Sequence, residues 1–487
     1  MNPESNLFID GELVPAASGK TYPNISPVTE ESLGEVADAG AEDMDRAIVA
    51  ARRAFDETDW PRNLELRLKC LTQLRDALLE AEGDFKQQIS AETGAPLGIC
   101  GENSPHLSMP ISFIDYTLEQ LPKFQWSRDA GVSNAMNMKS RRLVEKEPIG
   151  VVGCITPWNV PVQINLAKCV PALAAGCTVI LKAAPDTPWC ATMLGRLVKE
   201  HTDMPPGVFN VITASDPVQV GEQLVTDPRV DMISFTGSTA VGKHIMAQAA
   251  PTVKKVFLEL GGKSANILLD DADLDSALLS SLGVCFHAGQ GCAILTRLLV
   301  PRSRQKEVEE KLPAVFGFIE YGDPASESQI MGPLVNARQR ERVLGYIEKG
   351  KAEGARLLLG GGVPEHLEKG YYVEPTVFTD VTNDMTIARE EIFGPVLAVI
   401  PYEDEEDAIR IANDSEYGLS GGVWSADRER ALAVARRIRA GTVSVNGGVY
   451  YGADAPFGGY KQSGIGREMG PEGFEEYLET KTIAISE

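Results

Sequence analysis

The chain has 487 residues, 43% hydrophobic and 24% charged, which is ordinary for a globular protein of two or three domains. Its formal net charge of −23 argues against nucleic acid or an anionic membrane as a partner, since either would need a basic face. The N-terminal residues lack a signal-peptide pattern, and the longest apolar run, 169–181, is too short to span a bilayer. We therefore expect a cytoplasmic protein with no membrane or nucleic-acid partner.

One cysteine differs from the other seven. The eight cysteines contain no CxxC pair and the five histidines show no metal-ligand spacing, so we expect free thiols and no metal. Cys292, however, follows Gly289-Gln290-Gly291, and small neighbours leave a thiolate open to a carbonyl carbon. The alternative is that Cys292, like most cysteines, only packs in the hydrophobic core.

The first third of the chain combines a hairpin with several helices. Residues 7–14 alternate around Asp10-Gly11, which predicts a β-hairpin. Apolar residues at three- and four-residue spacing then predict helices over 43–55, 64–82, 85–93 and 104–121. Residues 134–144 are charged and alternate poorly, as in an exposed edge hairpin that pairs with another subunit.

From residue 149 onward, apolar runs alternate with helical patterns. The runs predict buried parallel strands over 150–155, 179–182, 208–212 and 232–235. The helices predicted between them cover 162–175, 188–199, 218–226 and 240–249. A second block has predicted strands over 265–269 and 297–300, with helices over 307–316, 337–353, 405–413 and 428–438. The C-terminal residues 481–486 predict one further short strand, which could add to a sheet edge elsewhere. The sequence therefore predicts an α/β protein with two doubly wound domains, whose ligands bind at the carboxyl ends of the strands.

Two further residues suit a nucleophilic cysteine. Glu259 lies between apolar residues beside a glycine pair, and Asn159 follows an apolar run. Together with Cys292 they would supply the nucleophile, the base and the amide donor of an acyl-transfer reaction.

With these residues the chain resembles the aldehyde dehydrogenase family, and the resemblance extends from residue 7 to the C-terminus. One short motif would be weak support, but six occur in the family's order and near its spacing. They are Pro157-Trp158-Asn159, Phe235-Thr236-Gly237-Ser238, Glu259-Leu260-Gly261-Gly262-Lys263, Gly289-Gln290-Gly291-Cys292, Glu391-Ile392-Phe393-Gly394-Pro395 and Pro456-Phe457-Gly458-Gly459.

The resemblance implies a role for each catalytic residue. Cys292 attacks the aldehyde carbonyl to give a thiohemiacetal, whose oxyanion is held by Asn159 and by the Cys292 backbone N–H. Water hydrolyses the thioester that remains after oxidation, and Glu259 is the candidate general base. Lys168 resembles the family lysine that supports this site, with a plain surface lysine as its alternative.

The resemblance also implies a nicotinamide cofactor, although no GxGxxG fingerprint follows any predicted strand. It places Gly237 and Ser238 at a helix start, where backbone N–H groups and the helix dipole can bind a pyrophosphate. The residues it assigns to the cofactor are Ile155, Thr156, Pro157, Trp158, Lys182, Pro185, Gly221, Phe235, Thr236, Gly237, Ser238, Val241, Leu260, Gly261, Gln339, Arg342, Glu391 and Phe393.

The choice between NAD and NADP depends on position 185. Family members that prefer NAD usually have a glutamate three residues after the lysine that Lys182 resembles, and here that place is Pro185, followed by Asp186. NADP can then also be accepted, yet no arginine or second lysine is adjacent to attract its 2′-phosphate. We therefore expect NAD, with NADP possible.

The substrate tunnel should be wide. Val160, Gln163 and Ala167 take places that larger groups often fill in the family, which favours a medium to bulky apolar, aromatic or terpenoid-like aldehyde. The predicted substrate-contacting residues are Met109, Phe113, Val160, Gln163, Gly291, Ala293, Tyr451 and Phe457.

The resemblance further divides the chain into three parts. Residues 1–122 and 147–260 form the predicted NAD(P)-binding domain, and 261–460 form the catalytic domain. Residues 123–146 and 461–487 form a β extension for oligomerisation, whose open edges we expect to pair across a two-fold axis in a dimer or tetramer.

Three other functions stay open at this point. A cysteine-dependent thioester hydrolase or acyltransferase would use Cys292 with His287, but it would have no use for the cofactor residues. A CoA-acylating dehydrogenase generally lacks the glutamate base, so Glu259 argues for hydrolysis. A non-enzymatic structural protein on the same scaffold would have no reason to keep Cys292, Glu259 and Asn159 together.

Overall fold

The computed structural model of the protein describes residues 3–326 and 328–487. Its α-helices are α1 (Ala41–Glu57), α2 (Leu64–Glu80), α3 (Glu82–Thr93), α4 (Ser108–Gln120), α5 (Pro161–Ala175), α6 (Trp189–His201), α7 (Pro217–Thr226), α8 (Thr239–Ala249), α9 (Leu274–Leu279), α10 (Gln305–Phe316), α11 (Ala337–Ala352), α12 (Thr386–Arg389), α13 (Glu405–Asn413), α14 (Arg428–Ala435) and α15 (Gly470–Glu475). Short 3-10 segments occupy Leu97–Cys100, Leu121–Lys123, Ala250–Thr252, Ser280–Gly289, Arg302–Arg304 and Lys461–Ser463. Among the described residues, no helix has both the length and the apolar character needed to cross a membrane.

The strands form four sheets. They are β1 (Leu7–Ile9), β2 (Glu12–Val14), β3 (Thr21–Ile25), β4 (Ser32–Ala37), β5 (Ser127–Ala135), β6 (Met138–Pro148), β7 (Val151–Ile155), β8 (Thr178–Lys182), β9 (Phe209–Ile212), β10 (Met232–Thr236), β11 (Lys255–Glu259), β12 (Ala265–Leu268), β13 (Arg297–Pro301), β14 (Arg356–Leu359), β15 (Thr376–Thr379), β16 (Val396–Tyr402), β17 (Ser420–Trp424), β18 (Thr442–Val445), β19 (Gly464–Ile465) and β20 (Leu478–Ser486).

The first large sheet has the order β19-β11-β10-β7-β8-β9-β1-β2, and its five strands from β11 to β9 are parallel. Alternate side chains of one strand enter different cores. Ile180 packs with residues of α1 and α7, whereas Val179 and Leu181 pack with residues of α2, α5 and α6. Burial on both faces explains the continuous apolar runs that predicted these strands.

The second large sheet has the order β14-β15-β16-β13-β12-β17-β18, in which all neighbours from β15 onward are parallel. Its core contains residues of β12, β13, β15 and β16 together with residues of α9 to α14. Together with the first sheet it gives two doubly wound α/β domains, so the predicted fold class is confirmed.

The β extension pairs differently from the prediction. β6 and β20 are antiparallel neighbours within one chain, from Leu478 opposite Pro148 to Ser486 opposite Ser140, and β5 completes the order β20-β6-β5. The predicted pairing of residues 134–144 with the C-terminal strand across a two-fold axis is therefore wrong. Within one chain, residues 140–144 already pair with 482–486, in five of the nine residue pairs between β6 and β20. The number of subunits stays a prediction.

The segment between the active-site region and β20 also joins the first large sheet. Gly464–Ile465 pairs antiparallel with β11, so this part of the range predicted for the extension lies at the edge of the first sheet. The division of the chain into domains stays a proposal.

Candidate active site

The loop that carries Cys292 has an unusual backbone. His287, Ala288 and Gly289 follow one another in the left-handed region, with φ values of +48°, +52° and +74°. Only glycine fits the third position, since a Cβ there would lie 2.1 Å from the carbonyl oxygen of Gly394. Left-handed backbone costs non-glycine residues about 1–2 kcal/mol each, so the surroundings must hold this loop in place.

Gln290 fixes the loop and connects it to Asn159. Its side-chain Nε2 donates to His287 O at 3.1 Å, and its Oε1 accepts from Val335 N at 2.9 Å. Its backbone carbonyl accepts from Asn159 Nδ2 at 2.9 Å. The Asn159 amide has two N–H donors and Gln290 uses one, so the second can serve a substrate oxyanion beside Cys292.

The Cys292 thiol is partly accessible and does not ionise readily. Burial raises its pKa, and the negative charges of Glu259, Glu391 and Glu468 raise it further. The resting group is therefore a thiol at neutral pH, and its attack on a carbonyl requires a proton acceptor. Gly262 packs directly against this residue, because a Cβ at position 262 would lie 2.5 Å from the Cys292 carbonyl oxygen.

Glu259 ends strand β11, where its carbonyl oxygen accepts from Gly237 N at 3.0 Å. Its side chain is buried, and neither carboxyl oxygen has a hydrogen-bond partner among the described residues. Burial and then the charge of Glu468 raise its pKa well above the ordinary value, while Lys168 and Arg467 oppose the shift. A buried carboxyl with a raised pKa and no fixed partner suits a general base.

Lys168 is fully buried, which rules out the surface-lysine alternative. Its Nζ lies 2.8 Å from Glu468 Oε1, 3.3 Å from Ser234 Oγ and 4.6 Å from the centre of the Phe257 ring. No sequence signal marks Glu468, because it lies in a segment without a periodic pattern. The Glu468 backbone pairs with that of Phe457 through two hydrogen bonds of 2.7 Å. The Lys168–Glu468 ion pair is thereby connected to Phe457, one of the predicted substrate-contacting residues.

A cleft of about 750 Å³ opens at the carboxyl ends of β7, β8 and β10. All eighteen residues that the resemblance assigns to the cofactor line it, and so do Asn159 and Cys292. Most of the lining residues that sequence reasoning missed lie within two turns of Gly221 or Val241 on α7 and α8, and helical spacing from those positions could have found them. The missed residues are Ala184, Pro217, Val218, Glu222, Val225, Ala240, His244, Ile245 and Arg338.

Two groups of cleft residues fit parts of a dinucleotide. Ser238 caps α8, and its Oγ accepts from Val241 N, so the N-terminus of an 11-residue helix faces the cavity. The rings of Trp158 and Phe393, which also line the cleft, meet edge to face, 5.5 Å apart. Glu391 Oε1 accepts from Gly262 N at 3.0 Å. Burial raises the pKa of Glu391 to about 7, and its remaining acceptor capacity suits sugar hydroxyls.

At the predicted adenosine end, Lys182 lines the cleft and position 185 holds a proline instead of a carboxylate. Lys182 is buried, and burial lowers its pKa to about 8 although Asp186 and Asp216 oppose the shift. Asp186 accepts from Asn336 Nδ2 at 2.8 Å and does not line the cleft, whereas Pro185 does. Asp186 therefore does not take the place of the glutamate that NAD-preferring family members have at the position of Pro185.

A second cavity of about 340 Å³ lies among side chains of α4, α5 and α15. Of the eight predicted substrate residues only Phe113 lines it, together with Ala167. The Phe113 ring lies 5.7 Å from the Tyr451 ring, which lies 5.8 Å from the Phe457 ring. The other seven predicted substrate residues line neither this cavity nor the cleft: Met109, Val160, Gln163, Gly291, Ala293, Tyr451 and Phe457.

Tyr451 connects this apolar cavity to the catalytic residues. Burial raises its pKa, and the charges of Glu468, Cys292 and Glu259 add to the shift. The ring contacts that of Phe113 on the cavity wall, and it lies within electrostatic range of these three groups. An aldehyde whose tail occupies the apolar cavity would approach Cys292 past Tyr451.

His287 does not form a catalytic pair with Cys292. Among the described residues, neither of its ring nitrogens has a hydrogen-bond partner. Its ring lies edge to face 5.0 Å from that of His106, and burial lowers its pKa to about 4. This argues against the cysteine hydrolase alternative. In the described part of the chain, no group of three or more His, Cys, Asp or Glu side chains is placed to hold a metal.

Known proteins match the chain over nearly its whole length. The aldehyde dehydrogenase family model covers residues 13–483. A 3-succinoylsemialdehyde-pyridine dehydrogenase of a Pseudomonas species is 44% identical over 480 residues, which cover 98% of each chain. The chain belongs to the aldehyde dehydrogenase family.

Solved aldehyde dehydrogenases have the same fold. The Mycobacterium tuberculosis enzyme, complexed with NAD+, is 42% identical with a TM-score of 0.94, and the alignment covers 98% of this chain and 97% of that one. A cysteine-to-alanine mutant of aldehyde dehydrogenase C from Pseudomonas syringae, complexed with NAD+ and octanal, is 41% identical with a TM-score of 0.93 and coverage of 99% and 96%. The predicted two-domain fold and enzyme class are confirmed, and the protein is an aldehyde-oxidising dehydrogenase.

Proposed function

We propose that this aldehyde dehydrogenase oxidises aldehydes to carboxylic acids through a thioester, which water hydrolyses. NAD, when bound, would accept the hydride. The observation that carries the proposal is the position of Cys292. It lines the 750 Å³ cleft, and the ring of Tyr451 connects it to the apolar cavity. A dinucleotide and an aldehyde can therefore reach one sulfur from two sides.

Cys292 forms the first bond. Its raised pKa means that the thiol must give up its proton, either to Glu259 or to water, before Sγ attacks the carbonyl carbon. The π electrons of the carbonyl bond move to oxygen, and the oxyanion accepts from the second Asn159 N–H and from the Cys292 backbone N–H. Since Gln290 already holds the Asn159 amide, this donor needs little reorganisation.

Glu259 acts again in hydrolysis. Its carboxylate takes a proton from the water that attacks the thioester carbon, and the carbon–sulfur bond breaks to release the acid and the Cys292 sulfur. Glu468 lies close enough to raise the pKa of Glu259 and is paired with Lys168 at 2.8 Å. We assign Lys168 and Glu468 as positioning residues that set the charge around the base.

The cofactor contacts follow from the cleft. The N-terminus of α8 at Ser238 would bind the pyrophosphate, and Lys182 and Glu391 would bind the two riboses. The NAD+ complexes of the Mycobacterium tuberculosis and Pseudomonas syringae relatives support NAD. NADP remains possible, because Pro185 offers no carboxylate and Asp186 is bonded to Asn336.

The apolar cavity supports a medium to bulky apolar, aromatic or terpenoid-like aldehyde. Its lining includes Phe113, Leu166, Val170 and Phe474, with room of about 340 Å³. One relative was crystallised with octanal, and another is named for a pyridine semialdehyde. A cytoplasmic location and assembly into dimers or tetramers stay proposals.

The proposed role of Glu259 is tested by Glu259→Gln with an apolar aldehyde and NAD. At about pH 9, where more of the Cys292 thiol is ionised, we expect this variant to form one equivalent of NADH and then to stop turning over. The acyl-enzyme that accumulates should be detected by mass spectrometry of the intact protein. Wild-type hydrolysis should rise with pH through the raised pKa of Glu259, since the base must be ionised. Glu403→Gln, at an exposed ion pair, is the control. Unchanged turnover without an adduct would assign the base elsewhere.

A further inference from the structure

A third cavity, of about 530 Å³, lies where the start of α2 meets β6 and β20. We call it the α2 groove; it shares no lining residue with the cleft or the apolar cavity. Its charged lining residues are Asp56, Arg62, Arg67, Lys146, Glu147 and Lys481. The groove therefore has four cationic and two anionic side chains and is net positive, whereas the whole chain has a net charge of −23.

The carboxylates of the α2 groove already have partners. Arg52 binds both oxygens of Asp56, at 2.9 and 2.6 Å. Lys481 Nζ lies 2.5 Å from Glu147 Oε1. Lys146 in turn pairs with Glu475, which lies outside the groove, at 2.9 Å.

Two arginines of the groove are left without an acidic partner. In residues 3–326 and 328–487, neither Arg62 nor Arg67 makes an ion pair with a carboxylate. The groove therefore has two uncompensated positive charges, and one of them is buried.

Arg67 shows the imbalance most clearly. It is 3% exposed, and burial lowers its pKa to about 10. Nη1 donates to Pro61 O and Ala175 O, both at 3.0 Å, and the guanidinium lies 5.2 Å from the centre of the Trp126 ring. Carbonyl dipoles and a ring face offset only part of the cost of removing a full charge from water.

A structural role explains part of this arrangement. Arg67 closes the C-terminal end of α5, where a cation meets the negative end of the helix dipole. That role uses Nη1 but leaves Nε without an acceptor in the part of the chain that the structure describes, and the same is true of Trp126 Nε1 on the same wall. It gives no reason for Arg62 to line the same groove.

We propose that the α2 groove binds a small oxyanion with carboxylate or phosphate chemistry. Arg67 and Arg62 provide the charge and the N–H donors, and their planar guanidinium groups match the paired oxygens of such an anion. The walls come from α2, β6 and β20, so the bound anion joins the N-terminal helices to the β extension. Because the anion binds only the folded chain, it stabilises that chain by mass action.

Thermal unfolding of the full chain tests the proposal, with phosphate, succinate and chloride compared at equal ionic strength. For the wild type, phosphate or succinate should raise the midpoint about 1–2 °C more than chloride does. The anion that does so identifies the chemistry. Arg62→Gln should lose this excess, while Arg302→Gln, at an exposed arginine paired with Glu403, should keep it.

A second variant addresses the buried arginine. Arg67→Lys keeps a charge at the end of α5 but loses the guanidinium fork, so it should also lose the excess rise. An excess that survives in Arg62→Gln, or no difference from chloride in the wild type, would overturn the proposal. Aldehyde oxidation by Arg62→Gln should be unchanged, because the groove shares no residue with the active site; the two proposals therefore fail separately.

Discussion

The cleft and the apolar cavity are built in different ways. The cleft is lined by strand ends and helix starts, and short motifs locate its eighteen predicted cofactor residues. The apolar cavity is lined by side chains from α4, α5 and α15, and motifs locate only Phe113. Backbone geometry is set locally by motif residues, whereas the shape of a side-chain cavity depends on packing between distant segments. The aldehyde side must therefore be learned from the structure or by experiment.

Removal of the Cys292 sulfur should have the largest effect: it should stop aldehyde oxidation and leave NAD binding unchanged. Cys292→Ala should lower kcat by at least about ten-thousand-fold, because no other group can form the thioester. NAD should still bind with wild-type affinity by calorimetry, since the cleft walls are unchanged. The control is Cys285→Ala, which removes a buried neighbouring thiol and should stay active. Turnover that survives in Cys292→Ala would refute the assignment of the nucleophile.

Asn159→Ala tests a residue at the boundary of the cleft. Its amide is held by Gln290 O at 2.9 Å, and the loss of one oxyanion donor typically lowers kcat about a hundred- to a thousand-fold. Steady-state kinetics should show this loss in kcat, with KM for NAD little changed. Asn165→Ala, at a buried asparagine of the following helix α5, should keep kcat within a few-fold of wild type. An effect of Asn159→Ala on KM alone would contradict the role.

The same division appears in what could be predicted from the sequence. β7, β8 and β10 were predictable because both of their faces are buried, but Ser420–Trp424 contains two glycines and resembles a loop. Glu468 is brought to Lys168 by a contact 300 residues apart, which no local pattern encodes. An open strand edge at 134–144 indicated that a partner exists, and only the structure shows that the same chain provides it.

Ala167→Trp should affect the apolar cavity alone. The indole would fill space that the small side chain leaves open in a cavity of about 340 Å³. For octanal or a bulky aryl aldehyde, kcat/KM should fall about 10- to 100-fold, since pocket contacts of this size are worth 1–3 kcal/mol. Acetaldehyde oxidation and NAD affinity should change little, and Ala167→Gly is the matched control. An equal loss for short and long aldehydes would mean that the tail does not occupy this cavity.

The smallest expected effect lies in the cleft and concerns the cofactor phosphate. Pro185 lines the cleft beside Lys182, and Asp186 is bonded to Asn336. The position therefore lacks a carboxylate that would accept the ribose hydroxyls of NAD and repel the 2′-phosphate of NADP. The wild type should use NADP measurably, with NAD ahead because the chain is acidic overall and no arginine is adjacent in sequence to attract the 2′-phosphate.

Pro185→Glu restores that carboxylate and should raise the NAD/NADP ratio of kcat/KM about tenfold, or about 1.4 kcal/mol. New hydrogen bonds to the ribose and repulsion of the phosphate would act in the same direction. Pro185→Gln is the matched control, because it offers a similar length and hydrogen bonds but no charge; it should change the ratio less. If the wild type does not use NADP at saturating aldehyde, or if the ratio is unchanged in Pro185→Glu, another part of the cleft sets the cofactor choice. Arg338 would then be the first side chain to examine, because it also lines the cleft and the sequence motifs did not locate it.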